Sequence, residues 1–314
     1  MNKKVAAIMA ALLVVVIGVF SIGMKKEKTT GEVAESTTVK VTDVNGEEVE
    51  VNKNPERVVV FDYGVADVLH NMDVEIVGLT KGKGLPELLS YYNDDEKYAN
   101  VGGLKEPDFE AIKALNPDFI IISGRQADMI DDFKEIAPTI NLGTDGTNYL
   151  ASFKSNVESL GKIFDKEDKV AELISGIEEK IAELNKTITE KGISATTVLT
   201  NEGNLSVFSG ESRFGIIYNE LGFTNPDDKI EASTHGQQVS FEYFLEHDAE
   251  YIFVVDRGTV TGGESTSLDN DIIKNTTAYK NNKVINLNAE VWYTVAGGID
   301  STNTMLDEIA EAIK

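Results

Sequence analysis

Three arginines that follow similar runs of nonpolar residues are the strongest chemical signal in the chain. Arg125 ends the segment DFIIISGR, Arg257 ends the segment EYIFVVDR, and Arg213 follows LSVFSGES. A guanidinium is planar, always charged and able to give two parallel hydrogen bonds to an anionic group. Ligands of open parallel sheets collect beyond the carboxyl ends of the strands, so arginines at those ends predict a site for an anionic ligand.

Arg213 carries a second signal, because it opens the predicted helix RFGIIYNEL. The N-terminus of a helix favours an anion through its free N–H groups and its dipole. An alternative stays open for each arginine, which is a structural salt bridge with one of the 53 acidic residues.

An imidazole and two aromatic rings lie in predicted loops of the same region. The segment STHG places His235 before the predicted helix VSFEYFLEH, and AEVWYTVAGG places Trp292 and Tyr293 after the predicted strand VINLN. The rings could stack on a ligand, and imidazole and phenolate both bind ferric iron. A loop histidine without a role is the alternative for His235. His70 and His247 are predicted to be surface or packing residues, and three scattered histidines without cysteine do not favour a zinc site.

Signatures of catalysis are missing from the sequence. It contains no GxxxxGK[ST], no GxGxxG after a strand, no HExxH and no GxSxG. Their absence is one modest argument against an enzyme, and we predict a binding protein that is not an enzyme and has no intrinsic cofactor. A cell-surface α/β hydrolase that uses His235 is the alternative from another class.

The elements that must position these residues form two similar α/β segments. Short nonpolar runs alternate with helical patterns over residues 39–150 and again over 192–314, which indicates mostly parallel sheets. At an offset of 132 residues, Phe109-Glu110 matches Phe241-Glu242, and Arg125 matches Arg257. Two copies of one unit would bring their strand ends to a shared cleft.

The segment between the two copies is helical throughout. Residues 151–191 include nonpolar residues at the 3, 4 spacing of one buried stripe. They are Val170, Leu173, Ile174, Ile177, Ile181, Leu184 and Ile188. The prediction is an α/β protein of two Rossmann-like lobes joined by a single long backbone helix, which would allow only small lobe motions.

The composition of the chain argues against two classes of binding partner. With 29 basic and 53 acidic residues the formal net charge is −24, which argues against binding to nucleic acid or to an anionic membrane surface. The chain has no cysteine, which excludes disulfides and thiolate metal sites. We expect a monomer.

The N-terminal segment predicts export. Lys3 and Lys4 precede the uncharged run Val5–Met24, and the run is long enough to cross a bilayer as a helix. We favour a retained membrane anchor over residues 1–24, with a cleaved signal peptide as the alternative. Residues 25–38 read as a flexible linker, so the folded part is expected at the outer face of the cytoplasmic membrane.

Several long stretches resemble a known family. VGGLKEPDFEAIKALNPDFIIISGRQ, FKEIAPTINLG, SFKSNVESLGKIFDKEDKV, STHGQQVSFEYF and VDRGT are similar to petrobactin-type, catecholate siderophore receptors of ABC iron importers. These receptors belong to the helical-backbone class (class III) of substrate-binding proteins, and the likeness runs from about residue 39 to the C-terminus. It implies a receptor for an anionic ferric siderophore. Haem or cobalamin remains the alternative cargo.

The resemblance also implies roles for individual residues. Arg125, Arg213 and Arg257 would hold the anionic ferric complex, and His235 and Tyr293 would bind its iron when the siderophore leaves two positions open. One glutamate on each lobe would contact the permease, namely Glu110 or Glu106 on the first lobe and Glu242 on the second. The chain departs from the family in one respect, since Gram-positive members normally carry a lipid-anchoring cysteine and this sequence has none.

Overall fold

The structure, a computed structural model, describes residues 37–82 and 84–314. The predicted anchor 1–24 lies outside these residues, and so does most of the predicted linker 25–38, although Thr38 already belongs to the first strand. No helix within the described part of the chain is both long and apolar enough to span a bilayer.

Strands and helices alternate through most of the chain. The strands are β1 (Thr38–Thr42), β2 (Glu48–Asn52), β3 (Val58–Val60), β4 (Gly78–Leu79), β5 (Ala99–Asn100), β6 (Gly102–Gly103), β7 (Glu106–Pro107), β8 (Phe119–Ile122), β9 (Thr139–Asn141), β10 (Ala195–Asn201), β11 (Asn204–Val207), β12 (Gln237–Val239), β13 (Tyr251–Asp256) and β14 (Val284–Asn286). The α-helices are α1 (Tyr63–Asn71), α2 (Phe109–Ala114), α3 (Ile130–Lys134), α4 (Tyr149–Ile163), α5 (Glu167–Lys191), α6 (Ile216–Asn219), α7 (Tyr243–Glu246), α8 (Arg257–Thr261), α9 (Thr277–Lys280) and α10 (Ile299–Ala312). Short 3-10 helices cover Glu87–Tyr92, Gly124–Met129, Gly146–Asn148 and Ile273–Asn275, and a π-helix covers Glu290–Val295.

Two five-stranded sheets form the cores of the two lobes. The sheet of the N-terminal lobe has the order β5-β4-β3-β8-β9 and is parallel throughout. The sheet of the C-terminal lobe has the order β12-β11-β10-β13-β14, with β10, β13 and β14 parallel. The central strands β3, β8 and β9 therefore correspond in position to β10, β13 and β14. This correspondence confirms the predicted repeat for the core of each lobe, and the predicted α/β class is confirmed.

The two sheets differ at one side. In the C-terminal lobe β11 is antiparallel to both of its neighbours, β10 and β12. The tight turn at Glu202 and Gly203, both with positive φ, folds β11 back on β10. Val239 pairs with Leu205 in this arrangement, so the first residue of the predicted helix VSFEYFLEH is instead the last residue of β12. The helix that follows, α7, is short.

The long backbone helix is confirmed as α5. Val170, Ile174, Ile177, Ile181, Leu184 and Ile188 are buried along one face. Leu173, the remaining member of the predicted stripe, is partly buried against the same core. The helix ends at Gly192, whose φ of +61° supplies the left-handed residue that commonly closes a helix.

The last helix returns to the first lobe. α10 lies within the segment 192–314 that was predicted to form the second lobe, yet it packs on α1 and α5. The buried carboxylate of Asp67 on α1 accepts hydrogen bonds from the backbone N–H groups of Asp300 and Ser301, at 3.1 and 2.8 Å. Such donors are left free at every helix N-terminus, so Asp67 caps α10 from the other lobe.

Candidate ligand-binding cavity

A cavity of about 570 Å³ lies between the two lobes. Its wall includes Asp62, Lys105, Ser123, Gly124, Arg125, Gly143, Thr144, Asp145, Gly146, Thr147 and Tyr149 from the first half of the chain. The second half contributes Arg213, Phe214, Thr234, Trp292, Tyr293, Thr294, Ala296 and Met305. The strand ends of both lobes therefore face one hollow, as the edge rule for parallel sheets predicts.

Arg125 reaches the cavity from the short helix that follows β8. The amide of Gln126 orders this turn, because its Oε1 accepts a hydrogen bond from the Ser123 N–H at 3.0 Å. The Nη2 of Arg125 donates to the carbonyl oxygen of Tyr293 at 3.2 Å. Its Nη1 lies 4.0 Å from the Oδ2 of Asp62, which is a long ion pair.

Arg257 occupies the equivalent place after β13, as the first residue of α8. Asp256 caps this helix by accepting a hydrogen bond from the Gly258 N–H at 3.1 Å. The Nε of Arg257 donates to the hydroxyl of Tyr293 at 2.9 Å. Arg125 and Arg257 thus bind opposite ends of the same tyrosine, one from each lobe.

Arg213 completes the group from the C-terminal lobe. Its guanidinium carbon lies 4.8 Å from the centre of the Tyr293 ring, and that of Arg257 lies 5.7 Å from the same point. Both distances are typical of cation–π contacts. Arg213 was predicted to open a helix, but it lies in a turn and α6 begins only at Ile216. The three predicted arginines therefore converge on Tyr293.

Burial and the charges of its two arginine neighbours make the charged form of Arg213 less stable. Burial lowers the pKa of Arg213, and the neighbouring charges of Arg125 and Arg257 lower it further, while Tyr293 acts in the opposite direction. Within the described part of the chain, neither Arg213 nor Arg257 forms an ion pair with a carboxylate. Arg125 and Arg213 line the cavity and Arg257 joins them through its hydrogen bond to Tyr293, so the group is a site that an anion stabilises.

Asp62 is the acidic counterweight at the N-terminal lobe. Its side chain is buried and caps α1 by accepting a hydrogen bond from the Val65 N–H at 3.0 Å. Burial raises the pKa of Asp62, and the charge of Arg125 and the hydrogen bonds from Val65 and Ser123 oppose that rise. The carboxyl group therefore compensates only one of the three arginines.

The sequence predicted a loop for Trp292 and Tyr293, but both residues lie in the π-helix Glu290–Val295. Trp292 is only 2% exposed, and its Nε1 donates to the Oε2 of Glu308 at 2.7 Å. A ring held in this way forms part of the wall and offers little surface for stacking. Tyr293 is half-buried and presents its ring to the arginines.

His235 lies in an exposed turn before β12. Its backbone N–H donates to the hydroxyl of Ser233 at 3.2 Å, and its neighbour Thr234 is the residue of this turn that lines the cavity. His235 is not among the residues that line the cavity, whereas Tyr293 is, and their role as iron ligands stays a prediction. Among residues 37–82 and 84–314, no group of three or more His, Cys, Asp or Glu side chains is arranged to hold a metal ion.

Sequence reasoning missed two parts of the wall. The first is the run Gly143–Thr147, which follows β9 and was predictable from the same edge rule that identified the arginines. The second is Lys105, an exposed residue on the hairpin formed by β6 and β7. Nothing in the local sequence marks Lys105, because its hairpin is brought to the cavity by a hydrogen bond from the Gln126 amide to the Leu104 carbonyl oxygen.

The predicted docking glutamates are exposed on both lobes. Glu110 lies in the first turn of α2 and forms an ion pair with Lys113 at 3.5 Å. Glu106 lies on β7, and Glu242 directly precedes α7 at the matching place of the second lobe. Their contact with a permease stays a prediction.

Comparison with protein families identifies the chain's relatives. Residues 58–291 match the family described as periplasmic binding protein. The chain is 41% identical over 320 residues to the petrobactin-binding protein YclQ of Bacillus subtilis, with 99% of each protein covered. It is 28% identical over 267 residues to the ferric-anguibactin-binding protein FatB of Vibrio anguillarum, with 82% of this chain and 83% of FatB covered.

Solved structures agree with the sequence matches. The crystal structure of YclQ from Bacillus subtilis superposes with a TM-score of 0.85 at 42% identity, covering 89% of this chain and 99% of that one. The catecholate-siderophore binding protein VctP from Vibrio cholerae superposes with a TM-score of 0.82 at 32% identity, covering 87% and 99%. Both similarities extend over the two lobes and the backbone helix.

Proposed function

The chain belongs to the periplasmic binding protein family, and from this premise we propose that it binds an anionic ferric siderophore of the catecholate or petrobactin type and delivers it to an ABC transporter permease. The family and the relatives are described as binding proteins, which supports a receptor over an enzyme. The relatives named for petrobactin, anguibactin and catecholate siderophores support the class of cargo.

The convergence of three guanidinium groups on Tyr293 is the observation that carries this proposal. A ferric catecholate complex is an anion whose charge is spread over several oxygen atoms at its surface. Arginines from both lobes can each donate two hydrogen bonds to such oxygens. Charge-assisted hydrogen bonds of this kind contribute about 1.5–3 kcal/mol each.

The test is a fluorescence titration against ferric catecholates, ferric hydroxamates, haem and cobalamin. Ferric complexes absorb strongly, so a bound complex quenches Trp292 in the cavity wall without touching its ring. We expect tight, saturable quenching by ferric catecholates and weak quenching by the neutral hydroxamates. Haem or cobalamin binding more tightly than every catecholate would favour the alternative cargo and overturn the proposal.

Direct iron ligation by His235 and Tyr293 is a conditional part of the proposal. Tyr293 would have to give up the hydrogen bond that its hydroxyl accepts from Arg257, and the exposed turn carrying His235 would have to approach it. A siderophore that leaves two iron positions open should then show a new charge-transfer absorbance on binding. Tyr293→Phe should remove that band, whereas a six-coordinate complex should be unaffected.

Delivery to the permease involves Glu242 and either Glu110 or Glu106 in this proposal. Exposed carboxylates on matching helices of the two lobes would meet basic residues on the partner. Glu242→Gln and Glu110→Gln should lower ligand-stimulated ATP hydrolysis by the reconstituted importer and leave siderophore affinity unchanged. Unchanged stimulation in the double variant would contradict this assignment.

The receptor is proposed to act as a monomer outside the cytoplasmic membrane, tethered by residues 1–24. Its family supports the extracytoplasmic location, and two further relatives are named as lipoproteins. Retention in the membrane fraction, with cleavage of residues 39–314 by protease added to intact cells, would support a tether. Release of the whole folded part into the medium would favour a cleaved signal.

Hydrolysis of a bound ligand would favour the enzyme alternative that uses His235.

A further inference from the structure

Two turns from opposite lobes touch through their backbones beside the cavity. The 3-10 helix Gly146–Asn148 follows the N-terminal sheet, and the turn that carries Arg213 belongs to the C-terminal lobe. A Cβ atom at position 146 would lie 2.6 Å from the carbonyl oxygen of Arg213 and 2.8 Å from its Cα. A Cβ atom at Gly215 would in turn lie 2.9 Å from the Gly146 carbonyl oxygen.

The turn at Gly146 is well anchored on its own side. The Asp145 carboxylate accepts hydrogen bonds from the backbone N–H and the hydroxyl of Thr147, at 2.9 and 2.8 Å. The Asp145 N–H donates to the hydroxyl of Ser152 on α4 at 3.0 Å. A side chain placed at position 146 would therefore displace the opposite backbone, which is that of Arg213.

We infer that Gly146 is a positioning residue for Arg213, because only a residue without a side chain lets the two backbones approach closely enough to hold that guanidinium over Tyr293. The inference rests on the proposed function, in which Arg213 binds the anionic ligand. The guanidinium lies 4.8 Å from the ring centre, so displacement of the Arg213 Cα changes the spacing of the whole arginine group.

Gly176 provides a matched control outside the cavity. It is an exposed glycine on α5, and a Cβ atom there would meet nothing within 4 Å. Neither Gly176 nor Gly146 has a φ in the left-handed region. Alanine at either position therefore costs nothing in backbone conformation, and only the Gly146 variant meets an obstacle.

The experiment is a double-mutant cycle of Gly146→Ala and Arg213→Gln, read by fluorescence titration with a ferric catecholate. Gly146→Ala should weaken binding about tenfold, and the loss should be at most about twofold in the Arg213→Gln background, because coupled residues are not additive. Gly176→Ala should bind as the wild type does. Circular dichroism and thermal melts of all variants accompany the titrations.

Equal losses from Gly146→Ala in both backgrounds would overturn the inference, since the glycine would then act independently of Arg213. Unfolding of Gly146→Ala would overturn it too, because the expected displacement is local. An affinity of Gly146→Ala equal to that of the wild type would also overturn the inference. Failure of the wild type to bind any ferric siderophore would instead overturn the proposed function.

Discussion

The two lobes place an arginine at the same strand end but surround it differently. Arg125 follows β8 and has the buried carboxyl of Asp62 at 4.0 Å. Arg257 follows β13, and its Nε donates to the neutral hydroxyl of Tyr293. Arg213, also from the C-terminal lobe, faces the ring of the same tyrosine. The duplicated architecture thus yields one partly compensated and two uncompensated cations.

The difference indicates which lobe attracts an anionic ligand more strongly. In the C-terminal lobe Arg213 and Arg257 have only dipolar and aromatic partners among the described residues, so an incoming anion meets little competition there. In the N-terminal lobe the ligand must share Arg125 with Asp62. We therefore expect the C-terminal lobe to contribute more of the attraction and the N-terminal lobe to contribute more of the geometry.

The segment that carries Tyr293 connects the two lobes. Residues 287–298 follow the C-terminal sheet but are hydrogen-bonded to the N-terminal lobe. The Glu87 N–H donates to the Oε2 of Glu290 at 2.9 Å, and the Gly297 N–H donates to the hydroxyl of Tyr149 at 3.0 Å. Tyr293 is consequently held by one lobe and contacted by the arginines of the other.

The largest expected effect concerns Asp67, which attaches the N-terminus of α10 to α1 of the N-terminal lobe. Burial raises the pKa of Asp67 to about 6, although the Ser301 and Asp300 N–H groups oppose the rise. The folded protein then binds this proton more tightly than the unfolded chain does. The associated stability is fully present below about pH 4 and is lost as pH rises through about 6, by about 3 kcal/mol in total.

Asp67→Asn lacks the titration, so the wild type's stability relative to this variant should fall between pH 4 and pH 7. Chemical denaturation of both proteins at several pH values measures the difference. Asp73→Asn, an exposed change that removes the same charge, is the control. Parallel profiles for wild type and Asp67→Asn would show that Asp67 does not titrate in this range.

The next largest effect separates the arginines of the two lobes. Arg213→Gln and Arg257→Gln should each weaken binding of a ferric catecholate about a hundredfold, because an uncompensated charge-assisted contact is lost. Arg125→Gln should cost about tenfold, because loss of the Arg125 charge lets the pKa of Asp62 rise further, so that a protonated Asp62 no longer repels the ligand. Calorimetric titration at one salt concentration gives the three affinities. Equal losses would erase the proposed difference between the lobes.

The smallest effect sharpens the comparison from the other side. Asp62→Asn keeps an oxygen for the N-cap of α1 and removes the negative charge, which makes the N-terminal lobe resemble its partner. Affinity for an anionic ferric siderophore should rise about threefold to tenfold, as expected for the loss of about 1 kcal/mol of repulsion across a hydrated site. Asp73→Asn should leave it unchanged. Weaker binding by Asp62→Asn would contradict the role of Asp62 as a competitor.

Much of the fold was predictable because its signals are local. The stripe of nonpolar residues on α5 repeats at the helical period over the length of the helix. The pair Asn45-Gly46 marks the turn of the β1–β2 hairpin, where Gly46 has a φ of +80°. Continuous nonpolar runs identify β3, β8 and β13 because buried parallel strands have two covered faces.

The failures share a physical cause, which is dependence on distant partners. The segment after Gly236 pairs with β11 and so becomes a strand, although its sequence also suits a helix. The π-helix around Trp292 is held by Glu308 and Glu87, which lie on other elements. His235 precedes a strand instead of a helix for the same reason, and its turn leaves the side chain exposed.

The sequence by itself determined the class of fold, the duplication and the identity of the three arginines, because hydrophobic periodicity and charge are properties of neighbouring residues. Only the tertiary structure decided that Tyr293 lies at their centre, that Asp62 compensates one of them and that Gly146 meets the backbone of Arg213. These features are contacts between segments far apart in the chain. Such contacts depend on how the two lobes pack against each other. A local pattern of residues does not encode which distant segments will meet.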